Sequence, residues 1–172
     1  MKIIDTGLCI KVDLLNMDET QAGGTSPVIA PASAGRLLSL DLGAKRVGVA
    51  VSDELRMTVN PLPAIERRSW KDLLRRVVTI IESYDARGLV IGLPLSLDGV
   101  ERSAALDARA AAEKFQKSLN VPVYLQDERL TTVAATERLK AEGRSSAEID
   151  RRVDSESAKV ILADFIALSL SS

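Results

Sequence analysis

The chain has 172 residues, 46% of them hydrophobic and 27% charged, which is the composition of one globular domain with a core of its own. It contains no histidine and a single cysteine, Cys9, so Ser-His-Asp and Cys-His catalysis, histidine-bound zinc and internal disulfides are all excluded. The 23 basic and 24 acidic side chains leave a net charge of −1, which by itself does not mark a nucleic-acid binder.

Residues 1–35 read as a flexible or disordered N-terminal extension. They carry Lys2 and Lys11 against Asp5, Asp13, Asp18 and Glu19, and they end in a small-residue, proline-punctuated stretch from Gln21 to Gly35. The charges at Asp5, Lys11 and Asp13 interrupt the apolar run that a secretory signal would need, and no run approaches the roughly 18 residues of a membrane span. A single domain is expected over 36–172. Its opening runs, Leu37–Leu42 and Val47–Ser52, have strand length and are joined by the turn-like Gly43-Ala-Lys-Arg46, which predicts a hairpin. Met57–Ile65 predicts a third strand, irregular or at an edge because of Pro61 and Pro63.

The period then changes. Trp70, Leu73, Leu74, Val77, Val78 and Ile81 predict a helix over Ser69–Tyr84. Gly88–Gly92 predicts a buried strand, Arg102–Leu119 an alanine-rich helix and Val121–Leu125 another strand. A helix is expected from Thr131 to Glu142, stopped by Gly143, then a charged loop to Arg152 and a last helix over Asp154–Leu170. Early strands without intervening helices pair antiparallel, and later strands separated by helices pair parallel. The expectation is an α/β fold with a mixed five-stranded sheet flanked by helices.

Three carboxylates stand at element ends. Asp41 closes the first apolar strand, either as a turn former before Gly43 or as a group that reaches a cation. Glu128, with Asp127 beside it, follows the fifth strand, where open α/β sheets gather ligands; the alternative is a solvated loop. Asp154 precedes the predicted last helix and taken alone reads first as its N-cap. If these ends converge, the carboxylates form an oxygen site suited to Mg²⁺ or Mn²⁺. The basic groups Arg67, Arg68, Arg75, Arg76, Arg144, Arg151 and Arg152 read mainly as a solvated face.

Four ordered blocks carry a family resemblance: Leu40–Asp53, Val90–Gly99, Asp127-Glu-Arg-Leu-Thr-Thr132, and Val153–Ala158 with Ile161 and Leu162. Over residues 36–170 the sequence resembles the YqgF family, also called RuvX, Holliday-junction-resolvase-like proteins assigned as pre-16S ribosomal RNA nucleases. Ala44 stands where threonine is usual and Ser96 where asparagine is usual. The resemblance implies an RNase H-like fold and a metal-dependent nuclease that processes precursor 16S ribosomal RNA in the cytoplasm. Holliday junction DNA cleavage and non-catalytic binding in ribosome assembly are the alternatives. It implies Asp41, Glu128 and Asp154 as catalytic metal ligands, with Asp127 as substitute or helper for Glu128. Asp41 would bridge two Mg²⁺ or Mn²⁺ ions roughly 3.5–4 Å apart. Lys45, Arg46, Arg102 and Arg129 would hold substrate phosphates. The implied partners are precursor rRNA, branched DNA and ribosomal assembly particles, with no membrane, for a monomer or homodimer.

Overall fold

The structure, a computed structural model, describes residues 10–11, 35–95, 102–128 and 146–170, the backbone alone for 10–11, 146–154 and 170. The strands are β1 (Ile10–Lys11), β2 (Leu37–Leu42), β3 (Arg46–Ser52), β4 (Val59–Glu66), β5 (Gly88–Leu93) and β6 (Val123–Asp127). The helices are α1 (Trp70–Tyr84), α2 (Ser103–Ser118) and α3 (Ser146–Leu170). All strands form one sheet in the order β1-β6-β5-β2-β3-β4. β2, β3 and β4 pair antiparallel, whereas β5 and β6 continue from β2 in parallel. The five expected strands are thus present in the expected mixed pairing. The lead-in adds a short sixth, β1, antiparallel to β6.

The central strands are apolar on both faces because helices cover both. Leu38, Leu40, Leu89, Ile91, Val123 and Leu125 face α1 and α2, where they pack with Leu73, Val77, Ala105, Ala108, Ala112 and Phe115. The alternate residues Leu37, Val90 and Tyr124 face α3 and pack on Ile161, Leu162, Phe165 and Ile166. That α3 set recurs at helical spacing from Ala158 onward, the period that aims one stripe at a core. Four of the five aromatic residues pack in tilted pairs, Trp70 with Phe115 at 4.6 Å and Tyr124 with Phe165 at 5.2 Å between ring centres.

Local chemistry sets the boundaries. Ser69 caps α1 by accepting from Asp72 N–H at 3.2 Å. Asp85 ends it in the left-handed region at φ 50°, and Ala86 N–H returns to the Ile81 carbonyl. Pro61 and Pro63 lie on β4, which is indeed an edge. Two expectations are corrected. β6 runs from Val123 to Asp127, not Val121–Leu125: Pro122 lacks a donor and contributes its carbonyl to Leu89 N–H before the strand begins. α3 begins at Ser146, so Asp154 is inside the helix and not its cap. The sequence Ser145-Ser-Ala-Glu148 has capping-box spacing. The expected helix over Thr131–Glu142 lies outside the described residues. No described helix is long and apolar enough to cross a membrane.

Candidate active site

The parallel strands β2, β5 and β6 end together, and Asp41, Asp127 and Glu128 lie at that end. Leu40 pairs with Ile91, Gly92 with Gln126 and Leu93 with Asp127. Asp41 is one residue past the Leu40–Ile91 pair, beside Gly92. Because side chains alternate, Asp41 shares the α3 face with Leu37 and Ser39, and Gln126 shares it with Tyr124. Asp127 alternates to the face of Leu125. The pleat therefore separates Asp127 from the face that Asp41 occupies.

Glu128 lies just beyond β6 but continues its pairing, with its N–H donating to the Leu93 carbonyl at 3.1 Å. Its carboxylate folds back over Gly92. A β-carbon at Gly92 would overlap Glu128 Oε1 and would stand 2.7 Å from Ile161 Cδ1. Glycine at this position leaves room for an acid on the sheet surface. Burial, then the negative charges of Asp41 and Asp127, push the Glu128 carboxyl up to about 8 from its ordinary 4.5. Asp41 and Glu128 thus bring two carboxyl groups to one half-buried point, and a cation would relieve the cost of ionising both.

The turn after β2 is closed through main chain, with Gly43 N–H donating to the Asp41 carbonyl at 3.1 Å. A β-carbon at Gly43 would come within 2.6 Å of the Arg46 carbonyl oxygen, so the turn admits no side chain there. Arg67 clasps this turn: it donates to the Gly43 carbonyl at 3.2 Å and pairs with Asp107 of α2 at 2.7 Å. Arg67 was readable in the sequence only as one of a basic cluster.

The Asp154 backbone lies on α3, beside the contacts that dock this helix on the sheet. Ser155 Oγ donates to the Leu62 carbonyl of β4 at 2.7 Å, and Ser39 Oγ of β2 donates to the Ala158 carbonyl at 2.7 Å. From there the helix crosses the strands, with Ile161 over Gly92 of β5 and Phe165 against Tyr124 of β6. Among the described residues no three Asp, Glu or Cys side chains close around one point. The donors on the Asp41 face are nevertheless all oxygens, the set that hard divalent cations prefer, and a buried Gln126 Oε1 finds no hydrogen-bond partner among the described residues. The residues fit such an ion.

Of the expected phosphate-binding side chains, Lys45 is exposed in the β2–β3 turn and Arg46 is half-buried at the start of β3. Arg102 is exposed at the N-cap of α2. Arg129 lies outside the described residues. Arg75 and Arg76 are both held by Asp72 on α1, and Arg68 by Glu66. The α1 pairs belong to the opposite layer from α3.

Several known proteins resemble this chain. The family model described as "RuvX: Holliday junction resolvase" matches residues 35–168. A protein of Anaeromyxobacter sp. (strain Fw109-5), named "Putative pre-16S rRNA nuclease", is 40% identical over 131 residues, spanning 76% of this chain and 96% of that relative. A protein of the same name from Rickettsia bellii (strain OSU 85-389) is 40% identical over 126 residues, 73% of this chain and 82% of the relative. Among solved structures, T. thermophilus RuvC in complex with a Holliday junction substrate superposes with a TM-score of 0.51, covering 80% of this chain and 98% of that one. At 15% identity that likeness speaks for the fold, the RNase H-like arrangement expected from the sequence. With the match running from the first strand of the core to the last turns of α3, the chain belongs to the RuvX family of Holliday junction resolvase-like nucleases.

Proposed function

We propose that this chain cleaves phosphodiester bonds in precursor 16S ribosomal RNA, using a divalent cation held by Asp41, Glu128 and Asp154. The observation that carries the reading is the Glu128 carboxylate seated over Gly92, beside Asp41 and pushed up to about 8. Glu128, and not Asp127, is taken as the ligand because the pleat turns Asp127 to the other face. A bound Mg²⁺ or Mn²⁺ would offset the crowded negative charge and activate a water for attack on phosphorus. Asp41 and Glu128 would fix the ion's place on rigid strand ends, and the α3 turn carrying Asp154 would close the site from above. Glu128, with its raised carboxyl, would give up its proton on holding the ion. Lys45, Arg46, Arg102 and Arg129 would hold flanking phosphates, which fixes register without reading bases. The substrate class follows the name that the most similar relatives carry.

Residues 36–172 would form the catalytic unit, with 1–35 as an extension and the cytoplasm as the place of action. The test is cleavage of a precursor 16S fragment by the purified chain with Mg²⁺ or Mn²⁺, beside Asp41→Asn. Cation-dependent cleavage that Asp41→Asn abolishes supports the reading, and cleavage that survives the substitution overturns it. The family description favours a four-way DNA junction as a second substrate. Preferential cleavage of that junction over the RNA fragment would replace RNA as the substrate while leaving the site in place.

A further inference from the structure

Gln126 carries a buried oxygen that no described residue uses. The residue is 4% exposed, and its Oε1 has no hydrogen-bond partner among the described residues. Its Nε2 donates to the Asp127 carbonyl at 3.3 Å. A carbonyl only accepts, so the end of the amide facing Asp127 must be the NH₂ group, and Oε1 is the end left over. An acceptor buried without a donor costs stability, and native proteins retain few of them. Such an atom points to something that arrives later.

Its position says what. Gln126 is the registered partner of Gly92, and both are on the α3 face. Adjacent strands are about 4.8 Å apart, so the Glu128 carboxylate over Gly92 is flanked by Asp41 on β2 and by Gln126 on β6. Three oxygen-bearing side chains thus cross one row of the sheet, two anionic and one neutral. The bond from Nε2 to the Asp127 carbonyl uses only the nitrogen end of the amide and leaves Oε1 unaccounted for; leucine or methionine would fill the same volume without an unsatisfied acceptor.

We propose that Gln126 Oε1 is a further, neutral oxygen donor to the divalent cation that Asp41 and Glu128 hold. This rests on the cation-site reading above and adds a residue to it. A neutral donor suits the place, because a further carboxylate would add repulsion to a site already crowded with charge.

The experiment is Mn²⁺ titration by calorimetry on the full chain, with thermal denaturation in EDTA, for wild type, Gln126→Met, Gln126→Glu and Asp41→Asn. Gln126→Met keeps volume and removes the oxygen. It should weaken Mn²⁺ binding by roughly 10- to 100-fold, as loss of an oxygen partner at a metal site does. Its EDTA melting midpoint should be equal to or above wild type, since an unpaired acceptor has gone. Gln126→Glu should bind Mn²⁺ more tightly than wild type and melt lower in EDTA. Unchanged Mn²⁺ affinity in both Gln126 variants would overturn the proposal, as would a Gln126→Met protein that melts well below wild type in EDTA and binds Mn²⁺ normally. If wild type binds and Asp41→Asn does not, that failure belongs to Gln126 alone. If wild type itself binds no Mn²⁺, the cation site has failed.

Discussion

The Glu128 carboxylate occupies the space that a side chain at Gly92 would need. Acid and glycine are therefore one unit of the site, although they come from different strands. Gly92→Ala should displace the carboxylate, because the contacts it creates are with side-chain ends and not with backbone. Overpacking of this kind costs about 1–3 kcal/mol, so the protein should still fold. Cleavage should fall on the order of 100-fold, as it does when a catalytic group is misplaced by about an ångström. Parallel denaturation and cleavage assays check this; a variant with full activity would separate Gly92 from the chemistry.

Stability without cation should fall as pH rises from about 4.5 to about 8. The Glu128 carboxyl is held above its ordinary 4.5 up to about 8, so in that window the folded state binds the proton that the unfolded state has lost. Unfolding is then favoured by raising pH. Asp164 is raised by burial as well, so the comparison with Glu128→Gln isolates the share of Glu128. Urea denaturation in EDTA across this range should show a steeper decline for wild type than for the variant. Mn²⁺ binding below pH 8 should release a proton, read as a buffer-dependent heat.

Much of the fold was legible because burial on two faces writes long apolar runs, as in Leu37–Leu42 and Gly88–Leu93. α3 was legible from Ala158 onward for the same reason. Its first two turns were not: Arg151 and Arg152 resemble a loop when no apolar stripe accompanies them, and Asp154 then resembles a cap. β1 is two residues long, too short for any periodicity. The site was legible as residue types at strand ends. Which of Asp127 and Glu128 faces Asp41 depends on where β6 ends, and the expected end at Leu125 left both in a loop. The same two residues put Gln126 in a polar run after the strand, whereas the longer strand places it on a buried face.

Ser39→Ala should cost about 1 kcal/mol, the net worth of one buried hydrogen bond. The lost bond is the one from Ser39 Oγ to the Ala158 carbonyl, which ties α3 to β2 one turn from Asp154. Cleavage should fall while Mn²⁺-free stability changes only by that amount. Amide exchange around Ala158 and Ile161 should quicken if the tie holds the helix in place.

Lys45→Ala should weaken RNA binding and reduce the slope of log affinity against log salt by about 0.7–0.9, the signature of one lost phosphate contact. Arg75→Ala is the matched control: Arg75 is held by Asp72 on α1, in the opposite layer, and its loss should leave the slope unchanged. Affinity measured over a salt series reads both.

The prolines of β4 have a consequence for how copies of this chain can associate. Pro61 and Pro63 have no backbone N–H, Pro63 lies where the register with β3 shifts, and proline in an edge strand turns its donor-less nitrogen outward. The rim of the sheet beyond β4 is therefore short of donors that an added strand would need. Two molecules cannot join into one continuous sheet across that rim. A dimer able to act on paired phosphodiester bonds would have to meet elsewhere, through the β1 rim, helices or loops, which leaves the angle between its two carboxylate sites to be set by those surfaces.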